Sequence, residues 1–95
     1  MDWYGMTDLA IAGELGERIK DTRKRKQFSQ KDVAERSGLS AFTISQIETG
    51  KNTSLASLIA VMRVLRLLEN FNSLVPELVI SPLEIFRQQS KKRKR

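Results

Sequence analysis

Ser29 to Lys51 reads SQKDVAERSGLSAFTISQIETGK, and this stretch decides the fold. Ser29 is a good N-cap. Asp32, three residues on, comes close to a capping-box layout, in which cap and acid satisfy each other's backbone N–H. A helix from Gln30 to Ser37 then buries Val33 and Ala34. Gly38 ends it, where a left-handed residue is wanted. Leu39 turns inward and Ser40 caps a second helix, Ala41 to Thr49, stopped by Gly50. Its inward residues are Ile44 and Ile47. Ala41, Phe42, Thr43 and Gln46 therefore face outward, on a base hidden by the two isoleucines. No acid lies between Leu39 and Ile47.

Working upstream, Thr7-Asp8 is a helix start: a hydroxyl acceptor, then an acid near the positive end of the helix dipole. A helix can run from Asp8 through Lys26. Gly13 and Gly16 each weaken it by roughly 1 kcal/mol relative to alanine, which favours a start near Glu14. Leu15 and Ile19 mark its buried stripe, and Arg23 continues the line. Met1 to Met6 shows no period and reads as loose, with Trp3 and Tyr4 available to dock on the core or on a second subunit. Gln27-Phe28 is a short connection in which Phe28 plugs the core.

Downstream, Gly50-Lys51-Asn52-Thr53 is a loop, and Ser54 or Thr53 caps a fourth helix. Leu55, Leu58, Ile59, Met62 and Leu65 follow the spacing of one helix face. Ala56, Ser57, Ala60, Arg63 and Arg66 take the other side. Leu67-Leu68 breaks the pattern, and Glu69 to Leu74 forms a fifth helix with Phe71 and Leu74 inward. After Pro76 the chain changes character. Leu78-Val79-Ile80 is long enough for a small strand. Ser81-Pro82-Leu83-Glu84 is a helix start, with Ser as cap and Pro at the first position. A helix from Pro82 to Gln89 would show Leu83 and Phe86 on one face. It is too short to be stable unless docked. The expected organisation is an N-terminal extension over residues 1–13, one domain over 14–76, and a C-terminal extension over 77–95.

Composition excludes several classes. Ninety-five residues with 40% hydrophobic content support one modest core. Cysteine and histidine are both absent. That removes disulfide frameworks and zinc sites built from thiolate or imidazole, so no metal and no cofactor are expected. No glycine-rich phosphate loop is present and no carboxylate pair lies outside helix surfaces or caps, which argues against an enzyme. No apolar run reaches the roughly 20 residues that span a bilayer. The N-terminus lacks the layout of a secretory signal. A cytoplasmic location is the expectation. The net charge is +6, and the five basic residues Lys91 to Arg95 supply most of it. A second basic cluster holds Arg18, Lys20, Arg23, Lys24, Arg25 and Lys26. Two such patches suit an anionic polymer. Solubilising surface explains them equally well on charge alone.

Two helices joined by a short turn around Gly38 have a known geometric use. A DNA major groove admits one α-helix, and its N-terminal residues meet the base edges. Here the resemblance has its residues. From Leu15 to about Leu74 the chain resembles the phage-repressor/Cro (XRE) helix-turn-helix family. The resemblance rests on SQKDVAERSGLSAFTISQIETGK, with Arg23 upstream and the Leu55–Leu65 helix downstream. It implies an all-α fold: a five-helix, lambda-repressor-like DNA-binding domain, here with a C-terminal extension. It implies no catalytic residue. It also implies a homodimer that represses by occupying a palindromic operator in double-stranded DNA.

Position by position, the resemblance makes Ala41, Phe42, Thr43 and Gln46 base-facing. Gln30 would bond a phosphate and brace the reading helix. Lys51 and Asn52 would grip the backbone, and Ser40 and Lys24 are further candidate phosphate contacts. Arg23 and Glu48 would form a buried ion pair tying the first helix to the third, which would make an acid acceptable on the reading helix. Many members carry glutamine where Ala41 stands, and Phe42 is unusual beside it. The pair suggests apolar contact with thymine methyl groups, with Gln46 on an adenine edge. Phe42 can equally lie flat on the protein or pack against a partner. Thr43 can serve a phosphate and no base. Arg18, Lys20, Lys24 and Arg25 are either phosphate contacts or a solvated face. The basic tail resembles a nuclear-import signal, and is read here as an arm along the DNA backbone or as a solubilising end. The segment after Pro76, with SPLEIF and a basic end, is similar to tails of HipB-like antitoxins paired with HipA-like toxins. The alternative function is a protein-interaction or bridging module of the same fold that reads no bases.

Overall fold

The computed structural model describes residues 1–51, 53–78, 82, 83, 86 and 87. Up to Leu78 the described residues form five α-helices in order: α1 (Asp8–Arg25), α2 (Gln30–Ser37), α3 (Ala41–Glu48), α4 (Leu55–Val64) and α5 (Phe71–Leu74). Short 3-10 turns stand at Trp3–Gly5 and Leu68–Asn70. No strand occurs among the described residues.

The helix starts are set by hydroxyl caps. Thr7, Ser29, Ser40 and Ser54 each accept a bond from the backbone N–H three residues on, which fills one of the donors a helix start leaves open. At α2 the box is complete: Ser29 N–H also donates to the Asp32 carboxylate at 2.8 Å. Gly38 ends α2 with φ of 79°, a conformation that penalises a Cβ. Its N–H donates to the Ala34 carbonyl at 3.0 Å. The α2–α3 corner is thus fixed by local bonds, whatever the rest of the chain does.

The core is Ile19 of α1, Val33 and Ala34 of α2, Ile44 and Ile47 of α3, and Val61 and Leu65 at α4. Phe28, Leu39, Leu58, Val64 and Leu67 close over it. Helix α3 packs on α1, α2 and α4 together. Its underside is therefore held from three directions.

Several expectations are corrected. Helix α1 begins at Asp8 and not near Glu14. Residues Trp3–Gly5 form a 3-10 turn capped by Asp2, where a loose end was expected. Leu15 is half out of the core, although Ile19 and Arg23 on the same stripe are buried. Helix α3 stops at Glu48, and Thr49 is its C-cap. Helix α4 is turned relative to the expected face: Leu55 is 66% exposed, while Val61, absent from that face, is 1% exposed. Leu74 is exposed, where an inward position was expected, because it shares the face of Phe71 at the rim of an open groove. Part of the Leu78–Ile80 run, part of the expected Pro82–Gln89 helix, and the basic tail lie outside the described residues. Pro82, Leu83, Phe86 and Arg87 are helical.

What sequence reasoning missed in α1 is the role of Gly16. A Cβ built there would lie 2.5 Å from the Ile47 carbonyl oxygen and 2.6 Å from that of Glu48. The backbone of α3's last turn rests directly on α1 at this point. One turn earlier, Gly50 lies so close to Gly13 that a Cβ on Gly50 would be 2.6 Å from the Gly13 Cα. Of the two glycines that read in sequence as weak spots, Gly16 is the seat for the end of α3.

Candidate nucleic-acid interface

The site starts from a buried charge. Arg23 lies in the last turn of α1 and Glu48 is the last residue of α3; they are 7% and 4% exposed. Arg23 Nε donates to Glu48 Oε2 at 2.5 Å, and Nη2 donates to Oε1 at 3.0 Å. The remaining guanidinium nitrogen, Nη1, donates to the Phe28 carbonyl at 2.8 Å. Gln30 Nε2 also donates to Glu48 Oε1, at 3.1 Å. The two-pronged geometry is the strong form of a charged hydrogen bond. No buried side-chain polar atom among the described residues is left without a partner.

This network joins α1, the α1–α2 connection, α2 and the end of α3. Such a pair adds little net stability, yet removing one partner strands a charge in the interior. It also has an electrostatic result. Glu48 is the one acid of α3, and it is neutralised below the surface. The opposite end of α3 carries the positive pole of the helix dipole and no carboxylate.

That end is open. Ala41 and Phe42 are exposed, Phe42 at 70%. Thr43 and Gln46 are only half-buried, so the four expected reading residues do not stand out equally. Thr43 is also tied down: its Oγ1 is 3.0 Å from the Ser40 Oγ, which in turn accepts from the Thr43 N–H at 3.1 Å. Ile44 and Ile47 are buried beneath. Helix α3 is thus anchored along one side and at its C-terminal end, and bare at its N-terminal end.

The other singled-out residues fall into three groups. Lys24, Arg25, Ser40 and Lys51 are exposed, and Asn52 lies outside the described residues. Gln30 is half-buried and engaged with Glu48, a partner that sequence reasoning did not find. Lys20 is half-buried. Arg18 is committed elsewhere: it donates to Glu14 at 3.0 Å, and its guanidinium lies 5.2 Å from the centre of the Trp3 ring. It pins the N-terminal turn to α1. Trp3 next to a basic helix was the one available sign of this contact.

One carboxyl group is shifted. The Ser29 backbone N–H, and then the Ser29 hydroxyl, hold the Asp32 pKa below its ordinary value of 3.8. The shift belongs to the capping box, not to a chemical step.

A family model described as a helix-turn-helix domain matches residues 14–70, more than half of the chain. The chain belongs to this helix-turn-helix family. No curated protein matches it. The matched span holds the whole of α2, α3 and α4, and most of α1. Membership suggests a DNA-binding regulator, in a family that is typically non-enzymatic. Among the described residues of this helix-turn-helix protein, no helix is long and apolar enough to cross a membrane.

Proposed function

We propose that this helix-turn-helix protein is a sequence-specific DNA-binding repressor of the phage-repressor/Cro type, acting in the cytoplasm as a homodimer. The observation that carries the reading is the state of α3. Its N-terminal end is bare and free of acids, while its C-terminal end is locked by Gly16 contacts and by the Arg23–Glu48–Gln30 network. A reading helix needs that combination, because base contacts tolerate little play in the angle at which the helix enters the groove. Ala41 and Phe42 would meet thymine methyl groups, and Gln46 an adenine edge. Gln30, Ser40, Lys24, Lys51 and Asn52 would hold phosphates, with Thr43 assisting its cap residue. Two copies would set their α3 helices about 34 Å apart, on half-sites one DNA turn apart.

The test is binding to promoter DNA and to scrambled DNA across a salt series. Specific binding should survive at salt where scrambled DNA has released, and affinity should fall steeply with salt. Equal affinity for both DNAs would remove the specific-repressor reading. A narrower version is the antitoxin of a toxin–antitoxin operon, with a HipA-like toxin as partner. It rests on the SPLEIF segment and basic end, and co-purification with the neighbouring gene's product tests it. One observation favours the bridging-module alternative: the two exposed α3 residues, Ala41 and Phe42, offer no side-chain hydrogen bond. The same salt series separates the two readings.

A further inference from the structure

Helix α4 presents one broad apolar face, and its own domain covers only part of it. Val61 faces the core, with Leu65 just past the helix end. At the edge of that face Leu58 and Met62 line an open groove of about 450 Å³, together with Leu15 of α1 and Leu67, Phe71 and Leu74 around α5. No residue of α3 lines it. The groove therefore stays accessible while α3 is engaged.

The same chain carries an unmatched apolar strip. Leu78, Leu83 and Phe86 are 80%, 58% and 67% exposed. They lie four, nine and twelve residues past the groove lip at Leu74. Past that lip the backbone of Val75 is extended, with φ −136° and ψ 91°, and Val75, Pro76, Glu77 and Leu78 are all exposed. None of the described residues past Leu74 lines the groove. A groove and a strip that are both uncovered on one chain satisfy each other when two copies exchange them. The exchange is reciprocal, so one two-fold contact closes both grooves and leaves no edge for further growth.

We infer that the groove between α1, α4 and α5 is the seat for the C-terminal strip of a second copy, with Leu83 and Phe86 as the inserted side chains. The inference deepens the proposed function by naming the surface that makes the dimer, and it rests on that reading only for the use of the dimer on DNA.

The absence of cysteine makes a direct test available. Two full-length variants are made, Ser73→Cys at the groove lip and Leu83→Cys on the strip, both at exposed positions. Mixed and oxidised, they should cross-link as a covalent dimer faster than either variant alone. Cross-linking within one chain of the Ser73→Cys, Leu83→Cys double variant, with no dimer, would mean that the strip folds back on its own domain, and overturns the inference. Full-length Leu83→Asp, Phe86→Asp should keep its melting temperature and lose dimer affinity by at least about a hundredfold in sedimentation. An undiminished dimer would mean that the faces meet without the strip. No dimer in the parent chain would leave the groove to another protein. Either result overturns the inference. DNA binding by the parent chain is read separately. A monomer that still prefers promoter DNA would refute the exchange and spare the reader.

Discussion

Gly13 and Gly16 lie in one helix, and their replacement by alanine should move stability in opposite directions. In the helix interior, alanine is favoured over glycine by about 1 kcal/mol. At Gly13 nothing lies within 4 Å of the added Cβ, so that gain should appear undiminished. At Gly16 the added carbon would meet two carbonyl oxygens at 2.5 and 2.6 Å and the Glu48 carbonyl carbon at 2.8 Å. Ordinary C···O contacts lie near 3.3–3.6 Å, so α1 and the end of α3 must separate by about 0.8 Å. These are backbone atoms in a helix already gripped by Arg23, and they cannot rotate aside. Overpacking costs about 1–3 kcal/mol, here at the upper end, and the lengthened Arg23–Glu48 bonds add to it. The net effect of Gly16→Ala is a loss of about 2 kcal/mol. For a domain of this size 1 kcal/mol shifts Tm by about 4–8 °C. Thermal denaturation followed by circular dichroism should thus show Gly13→Ala melting about 4–8 °C above the parent. Gly16→Ala should melt about 8–16 °C below it. Two variants that both melt higher would refute the close seating of α3 on α1.

Other outcomes follow from the same geometry. Glu48→Ala should cost about 3–5 kcal/mol by stranding Arg23, whereas Arg23→Met with Glu48→Leu should recover most of that loss; denaturant titration of both decides it. Gln46→Ala should weaken promoter binding about tenfold to a hundredfold and leave Tm in place, and unchanged affinity would falsify its base-reading role. Because the Asp32 pKa is lowered on folding, its contribution is present above 3.8 and is lost as pH falls through the folded value. An Asp32→Asn chain should therefore show a flatter fall in stability below pH 4 than the parent, measured by acid titration of Tm. Deleting Lys91 to Arg95 should shallow the salt dependence of DNA binding, by up to about 0.9 in log–log slope for each phosphate that the tail no longer neutralises.

What could be read in the sequence was what short-range chemistry decides. The caps at Thr7, Ser29, Ser40 and Ser54 stand where a hydroxyl can reach an N–H three residues on, and no tertiary contact is needed to place them. Gly38 is legible for the same reason. The α3 underside was legible because Ile44 and Ile47 are its only large aliphatic residues. The face of α4 was not. Leu55, Leu58, Ile59, Val61, Met62 and Val64 surround the helix, so more than one apolar stripe fits the spacing, and the choice among them is made by α2 and the core. Gly16 was misread because helix propensity weighs a residue against its own helix and is blind to a neighbouring backbone. Gln30's bond to Glu48 was out of reach, since it joins residues far apart in the chain through an acid whose orientation only the fold sets.

The asymmetry of α3 separates two kinds of change over evolutionary time. Ala41 and Phe42 are exposed, so under the proposed function a descendant that replaces them acquires a new target in one or two steps and remains as robust as its ancestor. Replacing Glu48 or Gly16 would be purged whatever promoter was being controlled. On that reading, duplicated copies of this gene should diverge first at residues 41 and 42, on an unaltered scaffold.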